Sequence, residues 1–556
     1  MTLTSIVGRQ VMQSEVHSLI QQGNQHLNAG NFPNAKSIYL EVLNTSPNES
    51  DAYFGLGWIA YKEKQFEDAC HYLKKANEIQ PFNKNYLRGL TDLYTQIGQP
   101  QAAIALFQKY LHTEHSQADI YFNYANLLAR ANETELAIEA FQQCIRLSPN
   151  ELAPYMSLGQ IFYHLMRYRD AQTTYLNALS KGLKTEGLYL NIAKLHSDFG
   201  ELEKAKLVLT DAVSQYPENL VFPYRLGSLD SAVYTPELFN RLKLLEQQTL
   251  SPDNQFYLYW LLAKYSNMDK DADSEIELLV QAHKIYKGIN KFSHDSDYYL
   301  KHLNTLRLPS TNNLEAVRST ESSELSPIFI VGIPRCGSTL IENIICSGPE
   351  QVLKGEEPSV IFQAVSSNIQ NGSDEFWPKF QDHAKESYQK SQLLKNDLRF
   401  TDKSLENIFF VEFILALYPK AKIIHCERNP MASVISILKN NMVSLPWAHD
   451  MDEIFEYTDN CLKAIDKWIE KFPSKIYTVK YEEFVLNQEE ESKKLMSFCG
   501  LTWDKSCLSF NETKEIMSKT ASHIQIRDKI NQKSLYYYKN YELLFETYKH
   551  KYSWLS

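Results

Sequence analysis

The sequence lacks the cysteine spacing of a disulfide-rich or zinc-binding protein. Its eight cysteines include no C-x-x-C pair, the spacing that recurs in zinc sites and redox motifs. They are scattered along the chain at Cys70, Cys144, Cys336, Cys346, Cys426, Cys461, Cys499 and Cys507. Scattered cysteines are typical of reduced thiols inside the cell. We therefore expect no metal site and a cytoplasmic protein.

Long apolar runs are also lacking. A membrane-spanning helix needs roughly 18 or more consecutive apolar residues, and the sequence has no such run. Residues 1–22 are polar and lack the apolar core of about 7–15 residues that defines a secretory signal. We expect neither a signal peptide nor a membrane span.

Positive charge is in deficit as well. The net charge is −10 and the isoelectric point is near 5.9, which argues against nucleic acid as a partner. A local basic pocket for an anionic cofactor is compatible with that balance. The length of 556 residues exceeds what one hydrophobic core supports, so we expect two or three domains.

What the sequence does have is a repeat with a period of 34 residues. One alanine marks each repeat without any insertion: Ala35, Ala69, Ala103, Ala137, Ala171 and Ala205. Twelve residues earlier the residue is Gly or Ala in five of six repeats: Gly23, Gly57, Thr91, Ala125, Gly159 and Ala193. Twelve residues later it is proline in four of six: Pro47, Pro81, His115, Pro149, Leu183 and Pro217. Small residues let two antiparallel helices approach closely, and proline ends the second helix. The pattern is that of tetratricopeptide repeats and predicts an α-solenoid over residues 17–220.

Stacked repeats of this kind form a superhelix with a concave groove. Tyr53, Tyr121, Tyr155 and Tyr189 recur just before the small residue, on or near the inner helix. They either pack the repeats or line a groove that binds an extended segment of a protein or peptide partner. Residues 221–310 lose the register but keep helical periodicity, which predicts helices that cap the array.

A polar, turn-rich linker precedes a second predicted domain over residues 325–556. That domain opens with a buried strand at residues 328–331, a loop with Gly332 and Gly337, and a helix that begins near Ser338. Converging backbone N–H groups and the helix dipole make such a loop an anion site.

This loop lacks the lysine of an ATP-binding P-loop. Ser338 stands at the lysine position, and Arg335 supplies a cation instead. A nucleotide triphosphatase without that lysine would lose its contact to the β- and γ-phosphates, so a kinase is disfavoured. The combination favours a cofactor with a single 5′-phosphate-linked group.

The segment from Ile330 to Leu340, Ile-Val-Gly-Ile-Pro-Arg-Cys-Gly-Ser-Thr-Leu, resembles the 5′-phosphosulfate-binding loop of sulfotransferases, usually Pro-Arg-Ser-Gly-Thr-Thr-Leu. Cys336 and Ser338 are mild departures. The resemblance implies a P-loop-like α/β domain with a parallel sheet, and 3′-phosphoadenosine 5′-phosphosulfate (PAPS) as the sulfuryl donor. It assigns donor binding to the loop residues Arg335, Cys336, Gly337, Ser338 and Thr339.

Two further segments resemble the catalytic motifs of tyrosylprotein and tetratricopeptide-containing sulfotransferases. Gly355-Glu356-Glu357 resembles their Gly-Glu motif, whose glutamate is the general base. Spacing from the loop favours Glu356, and Glu357 is the alternative; a pair of exposed turn carboxylates is the plainer explanation. The segment from Phe400 to Asn407 resembles an Asp-Lys-x-x-x-Asn segment, which implies that Lys403 hydrogen-bonds the bridging oxygen between phosphate and sulfate. Together with Arg335, Lys403 would stabilise the transferring group and the leaving phosphate.

A second phosphate motif follows about 90 residues after the first. Residues 423–427 predict a strand, Arg428 follows it, and Pro430 suits the first turn of a helix that carries Ser436. The segment resembles the 3′-phosphate-binding motif of sulfotransferases, and this resemblance assigns Arg428 and Ser436 to the 3′-phosphate. Two phosphate loops together are far more specific than either one alone.

The C-terminal segments resemble the family with one departure. The resemblance implies that Tyr481 lies by the cofactor and that Ser522 belongs to a loop closing over its 5′ end. Tyr537 stands where the family has a phosphate-binding cation, which Lys533 or Lys539 could replace.

Two functions are compatible with these patterns. The first is an enzyme that moves a sulfuryl group from PAPS to a hydroxyl of a protein tyrosine, a carbohydrate or a small phenol, with the repeats binding the acceptor or a partner. The alternative is a non-catalytic tetratricopeptide scaffold with a degenerate sulfotransferase-like domain, which Tyr537 and Cys336 motivate.

Overall fold

The computed structural model describes residues 3–81, 83–111, 117–290, 325–368, 373–394, 399–443, 445–510, 532 and 535–555. It divides into two compact units, residues 1–192 and 193–556. The predicted linker up to residue 324 lies outside the described ranges.

The N-terminal helices follow the sequence repeat, two helices to each period of 34 residues. Their bounds are α1 (Leu3–Asn28), α2 (Phe32–Thr45), α3 (Ser50–Lys62), α4 (Phe66–Ile79), α5 (Lys84–Gln96), α6 (Pro100–Leu111), α7 (Ala118–Arg130), α8 (Thr134–Leu147), α9 (Leu152–His164), α10 (Tyr168–Ser180), α11 (Glu186–Asp198) and α12 (Leu202–Gln215). The predicted tetratricopeptide solenoid is confirmed.

The repeated small residues have the predicted packing role. The six alanines that mark the period are all 0% exposed: Ala35, Ala69, Ala103, Ala137, Ala171 and Ala205. A Cβ added at Gly159 would lie 2.3 Å from the ring of Tyr175, so the two helices of that repeat need a glycine to approach so closely. Of the four recurring tyrosines, Tyr155 and Tyr189 are buried, whereas Tyr53 and Tyr121 are partly exposed.

Four more helices precede the second predicted domain. They are α13 (Val221–Leu229), α14 (Pro236–Leu245), α15 (Pro252–Met268) and α16 (Ala272–Asn290). Phe256 and Trp260 of α15 and Leu279 of α16 share one hydrophobic core with Phe329 of the first strand. Helices α15 and α16 therefore contribute to the core of the second unit.

The sheet of the second unit has five parallel strands in the order β2-β3-β1-β4-β5. Their bounds are β1 (Ile328–Gly332), β2 (Val352–Leu353), β3 (Arg399–Asp402), β4 (Lys422–Glu427) and β5 (Ile476–Lys480). The α-helices of this domain are α17 (Ser338–Cys346), α18 (Val360–Asn368), α19 (Ser373–Lys390), α20 (Val411–Leu417), α21 (Pro430–Leu438), α22 (Met451–Lys471), α23 (Tyr481–Leu486), α24 (Gln488–Cys499) and α25 (Glu542–Glu546). Short 3₁₀ helices span Ser231–Val233, Leu405–Phe409, Pro446–His449, Lys505–Leu508, Tyr537–Tyr541 and Ser553–Leu555.

Both faces of this sheet are covered, which explains why β1 is apolar at every position. Phe329 and Val331 face one hydrophobic core, while Ile328 and Ile330 face another. Continuous apolar strands of this kind are typical of parallel sheets. The predicted α/β domain with a parallel sheet is confirmed.

The strand order places β1 between β3 and β4. The chain leaves β1 towards β2 and β3 and later crosses to β4 and β5, so the order reverses at β1. Open α/β sheets bind ligands outside the carboxyl ends of their strands at such a reversal. The segments that follow β1, β3 and β4 meet at this edge.

Candidate active site

The first loop at this edge joins β1 to α17 and has a strained backbone. Arg335 has a φ of 72° and Gly337 a φ of 95°, both in the left-handed region. A Cβ at Gly337 would lie 2.5 Å from the ring of Tyr481, so this position requires glycine for a second reason. Ser338 and Thr339 open α17 and are buried.

The buried thiol of Cys336 links this loop to β4. A hydrogen bond with Cys426 lowers the pKa of Cys336, which lies opposite it in the same hydrophobic core. Gly332, the last residue of β1, pairs in register with Cys426. The loop is thereby attached to the strand that leads to the second phosphate motif.

The second loop follows β4 and is tied to the first by two hydrogen bonds. Arg428 Nη1 donates to the backbone oxygen of Arg335 at 2.7 Å, and Arg335 Nε donates to Ser436 Oγ on α21 at 3.1 Å. The guanidinium of Arg428 also lies 4.8 Å from the ring centre of Tyr481. The structure thus brings together four residues that the sequence motifs had assigned to the donor.

The two arginines create a strongly positive environment. Burial, together with the neighbouring guanidinium of Arg428, lowers the pKa of Arg335 to about 10. Desolvation and the like charge of Arg428 both disfavour the charged form of Arg335. An anion bound next to the two guanidinium groups would favour the charged form.

Lys403 follows β3 and is wholly buried at the same edge. Its Nζ donates to Glu357 Oε1 at 2.5 Å, while its backbone N–H donates to the carbonyl of Glu356 at 2.8 Å. The side chain of Lys403 is 0% exposed and that of Glu357 is 52% exposed. The candidate cation and both candidate bases therefore lie in one cluster.

Glu356 has an unusual backbone conformation, with a φ of 54°. Its N–H donates to Glu342 Oε1 at 3.0 Å. Its own Oε1 lies 3.6 Å from Lys354 Nζ and makes no hydrogen bond within the described residues. Its backbone is thus fixed on both sides of the residue.

Sequence reasoning missed Glu342, a fully buried residue on α17. Its Oε1 accepts a hydrogen bond from Thr401 Oγ1 at 2.8 Å as well as the one from Glu356. Burial raises the pKa of Glu342, although Lys403 and Lys354 act in the opposite direction. One signal was available, because Glu342 is the one charged residue in the helix Ser-Thr-Leu-Ile-Glu-Asn-Ile-Ile-Cys.

Tyr537, which stands where the family has a cation, lies beside a different cation. Lys439 Nζ is 4.5 Å from the Tyr537 ring centre and donates to Tyr541 Oη at 2.9 Å. Lys439 also pairs with the buried carboxylate of Glu275 on α16. The other candidate, Lys539, is exposed over the ring of Tyr536.

Two residues predicted to act near this site, Ser522 and Lys533, lie outside the described residues. Within the described ranges, no group of three or more His, Cys, Asp or Glu side chains could hold a metal ion. None of the helices in those ranges has the length and apolarity to cross a bilayer.

The family models match the same two regions. A model described as the sulfotransferase family matches residues 327–505. Models of the tetratricopeptide repeat match residues 20–84, 90–151 and 187–219.

Relatives of known sequence are distant. A protein of Aquifex aeolicus described as uncharacterized is 24% identical over 535 residues, which cover 91% of this chain and 69% of that protein. Protein-tyrosine sulfotransferase A of Caenorhabditis elegans is 26% identical over 225 residues, which cover 35% of this chain and 56% of the nematode protein. This chain thus spans little more than half of the nematode relative's length.

Among solved structures, PilF of Pseudomonas aeruginosa is 18% identical, with a TM-score of 0.30, and the match covers 38% of this chain and 96% of PilF. The family models and the fold agree on the class of protein. The chain joins tetratricopeptide repeats to a domain of the sulfotransferase family.

Proposed function

We propose that this chain transfers a sulfuryl group from PAPS to a hydroxyl acceptor. The observation that carries the proposal is the hydrogen bond between the two phosphate loops, from Arg335 Nε to Ser436 Oγ. It joins a residue that we assign to the 5′ end of the donor to one that we assign to its 3′-phosphate. Lys403 lies at the same sheet edge, where the chemistry would take place.

The residues at this edge fit a donor with phosphate groups at two positions. Arg428 is close enough to Arg335 to disfavour the charge of Arg335, and an anionic group bound there would offset that effect. Gly337, against which the Tyr481 ring packs, lies at the beginning of α17, whose N–H groups favour a phosphate. Ser338 and Thr339 supply hydroxyls in the same turn.

When bound, PAPS would supply an electrophilic sulfuryl group with a 5′-phosphate as its leaving group. Lys403 would oppose the negative charge that builds on the bridging oxygen as that bond breaks. Arg335 would bind and orient the phosphate so that the acceptor attacks in line. Tyr481, which packs on Gly337 and Arg428, would hold both loops in place.

We assign Glu356 rather than Glu357 as the base that takes the acceptor's proton. Backbone hydrogen bonds with Glu342 and Lys403 fix the position of Glu356. A carboxylate oxygen without a hydrogen-bond partner among the described residues is suited to accept a proton. Glu357 is instead bound to the ammonium of Lys403.

We propose peptide tyrosine as the acceptor class and the repeats as the part that binds the acceptor or a partner protein. The similarity to protein-tyrosine sulfotransferase A supports the first suggestion. The repeat class, which commonly binds peptides and proteins, supports the second. The negative net charge and eight free cysteines favour a cytoplasmic protein without a nucleic-acid partner.

The test begins with donor binding, which needs no acceptor. Calorimetric titration with 3′-phosphoadenosine 5′-phosphate should show binding, and Arg428→Ala should weaken it by roughly 10- to 100-fold, because a buried charge-assisted contact is lost. Arg225→Ala is the matched control, since Arg225 is an exposed arginine that also lies over a tyrosine ring, 5.9 Å from Tyr224. ATP should bind more weakly than the 3′-phosphorylated nucleotide.

Transfer is tested second, with ³⁵S-labelled PAPS and a glutamate–tyrosine copolymer as the acceptor. Labelled polymer that disappears with Glu356→Gln would support the assigned reaction. Absence of nucleotide binding in the intact chain would overturn the enzyme proposal and favour the scaffold alternative.

A further inference from the structure

Lys403 is buried and yet held in its charged form. Burial lowers the pKa of Lys403, whereas the nearby carboxyls of Glu357 and Glu342 raise it. The carboxyls have the larger combined effect, so the pKa of Lys403 lies above its usual value. A buried ammonium without an anionic partner is unfavourable by several kcal/mol. The cation that we assign to the leaving oxygen therefore depends on a partner whenever no donor is bound.

The carboxyl groups around Lys403 differ in their freedom to move. Glu342 is 0% exposed and is bound to the hydroxyl of Thr401 and to the backbone of Glu356. Glu357 is 52% exposed and its Oε1 lies 2.5 Å from Lys403 Nζ. A half-exposed carboxylate reaches water by a change of side-chain torsions, whereas the buried one would have to break its internal hydrogen bonds.

We propose that Glu357 is a displaceable counter-ion of Lys403, bound to it in the donor-free protein and expelled by the phosphate of the donor. The inference rests on the proposed function and deepens it, because it gives the second glutamate of the Gly-Glu-Glu segment a role separate from the base. The incoming phosphate replaces the charge of Glu357, so Lys403 always has an anionic partner. Lys403 then becomes available to the leaving oxygen only when a donor is present.

This arrangement predicts an unusual gain of affinity. Donor binding must break the contact between Glu357 and Lys403. The free energy of that contact therefore weakens the binding of the donor. Glu357→Gln keeps a side-chain oxygen that Lys403 can contact but removes the charge, so the nucleotide displaces it more easily. We expect 3′-phosphoadenosine 5′-phosphate to bind about fivefold more tightly, a typical effect for a partly exposed charged hydrogen bond.

Two matched variants separate this effect from a general change of charge. Glu483→Gln removes an exposed carboxylate that also binds a lysine, Lys480 at 3.2 Å, in the same domain. Glu489→Gln removes a second exposed carboxylate that binds a lysine, Lys493 at 2.5 Å. Calorimetry should show a clear gain for Glu357→Gln and less than a twofold change for the other two.

A double-mutant comparison tests whether the effect passes through Lys403. In a Lys403→Met background, Glu357→Gln should no longer improve nucleotide binding. The single variants alone decide the question if Lys403→Met does not fold. An equal gain in Glu357→Gln and Glu483→Gln would overturn the inference, because it would reflect general electrostatics, and so would a weakened or unchanged affinity in Glu357→Gln. Failure of the intact chain to bind the nucleotide is a different result, and it would overturn the proposed function itself.

Discussion

The two units of this chain differ in what they bury. In the described part of residues 1–192, the buried polar side chains are all uncharged: Ser50, Gln172 and Thr174. In the described part of residues 193–556, they include five Asp, Glu or Lys side chains: Asp198, Glu275, Glu342, Asp402 and Lys403. Three of these five lie at the carboxyl edge of the sheet or in the helix beside it.

The difference shows how each unit uses its interior. The first unit buries alanines, glycines and aromatic rings in a pattern that repeats, and its contacts are mostly local in sequence. In the second unit, Glu342 and Lys403 belong to one hydrogen-bond network, which also includes Glu356 and Glu357. Buried charges contribute little to stability when compared with apolar packing. Their concentration at one edge of the sheet is therefore best explained by chemistry.

The largest expected effect comes from removing the charge at the centre of that network. Lys403→Met should slow sulfuryl transfer to a glutamate–tyrosine copolymer by roughly 10²- to 10³-fold, because the developing charge on the leaving oxygen loses its partner. Lys480→Met, which removes an exposed lysine from the same domain, should leave the rate within about twofold of the wild type. A rate for Lys403→Met within tenfold of the wild type would remove Lys403 from the reaction.

The second prediction tests the packing of the first unit. Gly159→Ala should lower the free energy of unfolding by about 1–3 kcal/mol, because the new Cβ would lie 2.3 Å from the Tyr175 ring. Gly187→Ala is the control with the opposite sign, since its nearest contact is Met156 Cε at 3.7 Å and alanine favours a helix by about 0.5–1 kcal/mol. Urea unfolding measures both, and nucleotide affinity should change in neither. Equal stability losses in the two variants would contradict the packing argument.

The same contrast explains what the sequence could predict. The repeats could be predicted because each one carries its own small residues at fixed positions, and neighbours along the chain are neighbours in space. The residues that follow β1, β3 and β4 could be predicted for a related reason. Arg335, Lys403 and Arg428 each stand in a short local motif, with a strand before them.

The rest of the site depends on contacts between distant parts of the chain. Glu342 gains its position from Thr401, 59 residues away, and from Glu356, 14 residues away. Glu275 of α16 accepts a hydrogen bond from Tyr541, 266 residues further on. No local period or motif encodes such pairs. The strand order, which brings the three segments to one edge, is likewise a property of the whole sheet.

The third prediction separates stability from function within the buried network. Glu342→Gln should raise the free energy of unfolding by about 1 kcal/mol at pH 7.5 while slowing transfer several-fold. Burial raises the pKa of Glu342 above the value it has in the unfolded chain. As the pH rises from the unfolded pKa through the folded pKa, the unfolded chain loses its proton more easily than the folded one, so the free energy of unfolding falls. Glutamine does not ionise and therefore avoids this fall. Glutamine keeps an oxygen for Thr401 and Glu356 but gives up the negative charge near Lys403. Urea unfolding and transfer assays on the same preparation measure the two effects.

The control for this variant has the opposite sign. Glu350→Gln should lower stability, because hydrogen bonds from Thr502 lower the pKa of Glu350 and favour its charged form. Transfer should be unaffected. If Glu342→Gln lost as much stability as the control, the buried carboxyl would be a structural group. The difference between the units in what they bury would then not reflect chemistry.

The last prediction concerns two histidines in the second unit. His283 of α16 and His449 share a hydrogen bond between their Nδ1 atoms at 2.9 Å, and His283 Nε2 contacts the carbonyl of Leu438 at the end of α21. Burial lowers the pKa of each histidine to about 4. As the pH falls from 6.5 towards 4, the unfolded chain takes up protons that the folded chain does not, so stability must fall. Between pH 7.5 and 5.5 we expect a loss of about 1 kcal/mol for each histidine.

Urea unfolding at the two pH values tests this prediction against a variant with both histidines changed to glutamine. That variant should lose less stability on acidification than the wild type, whereas His550→Gln, which changes an exposed histidine of the same unit, should lose as much. An equal loss in all three proteins would mean that the pair titrates normally in the folded state. The helix that carries Ser436 would then not be held by a neutral, buried pair at its C-terminal end. The difference between the two units would then depend only on the buried charges at the edge of the sheet.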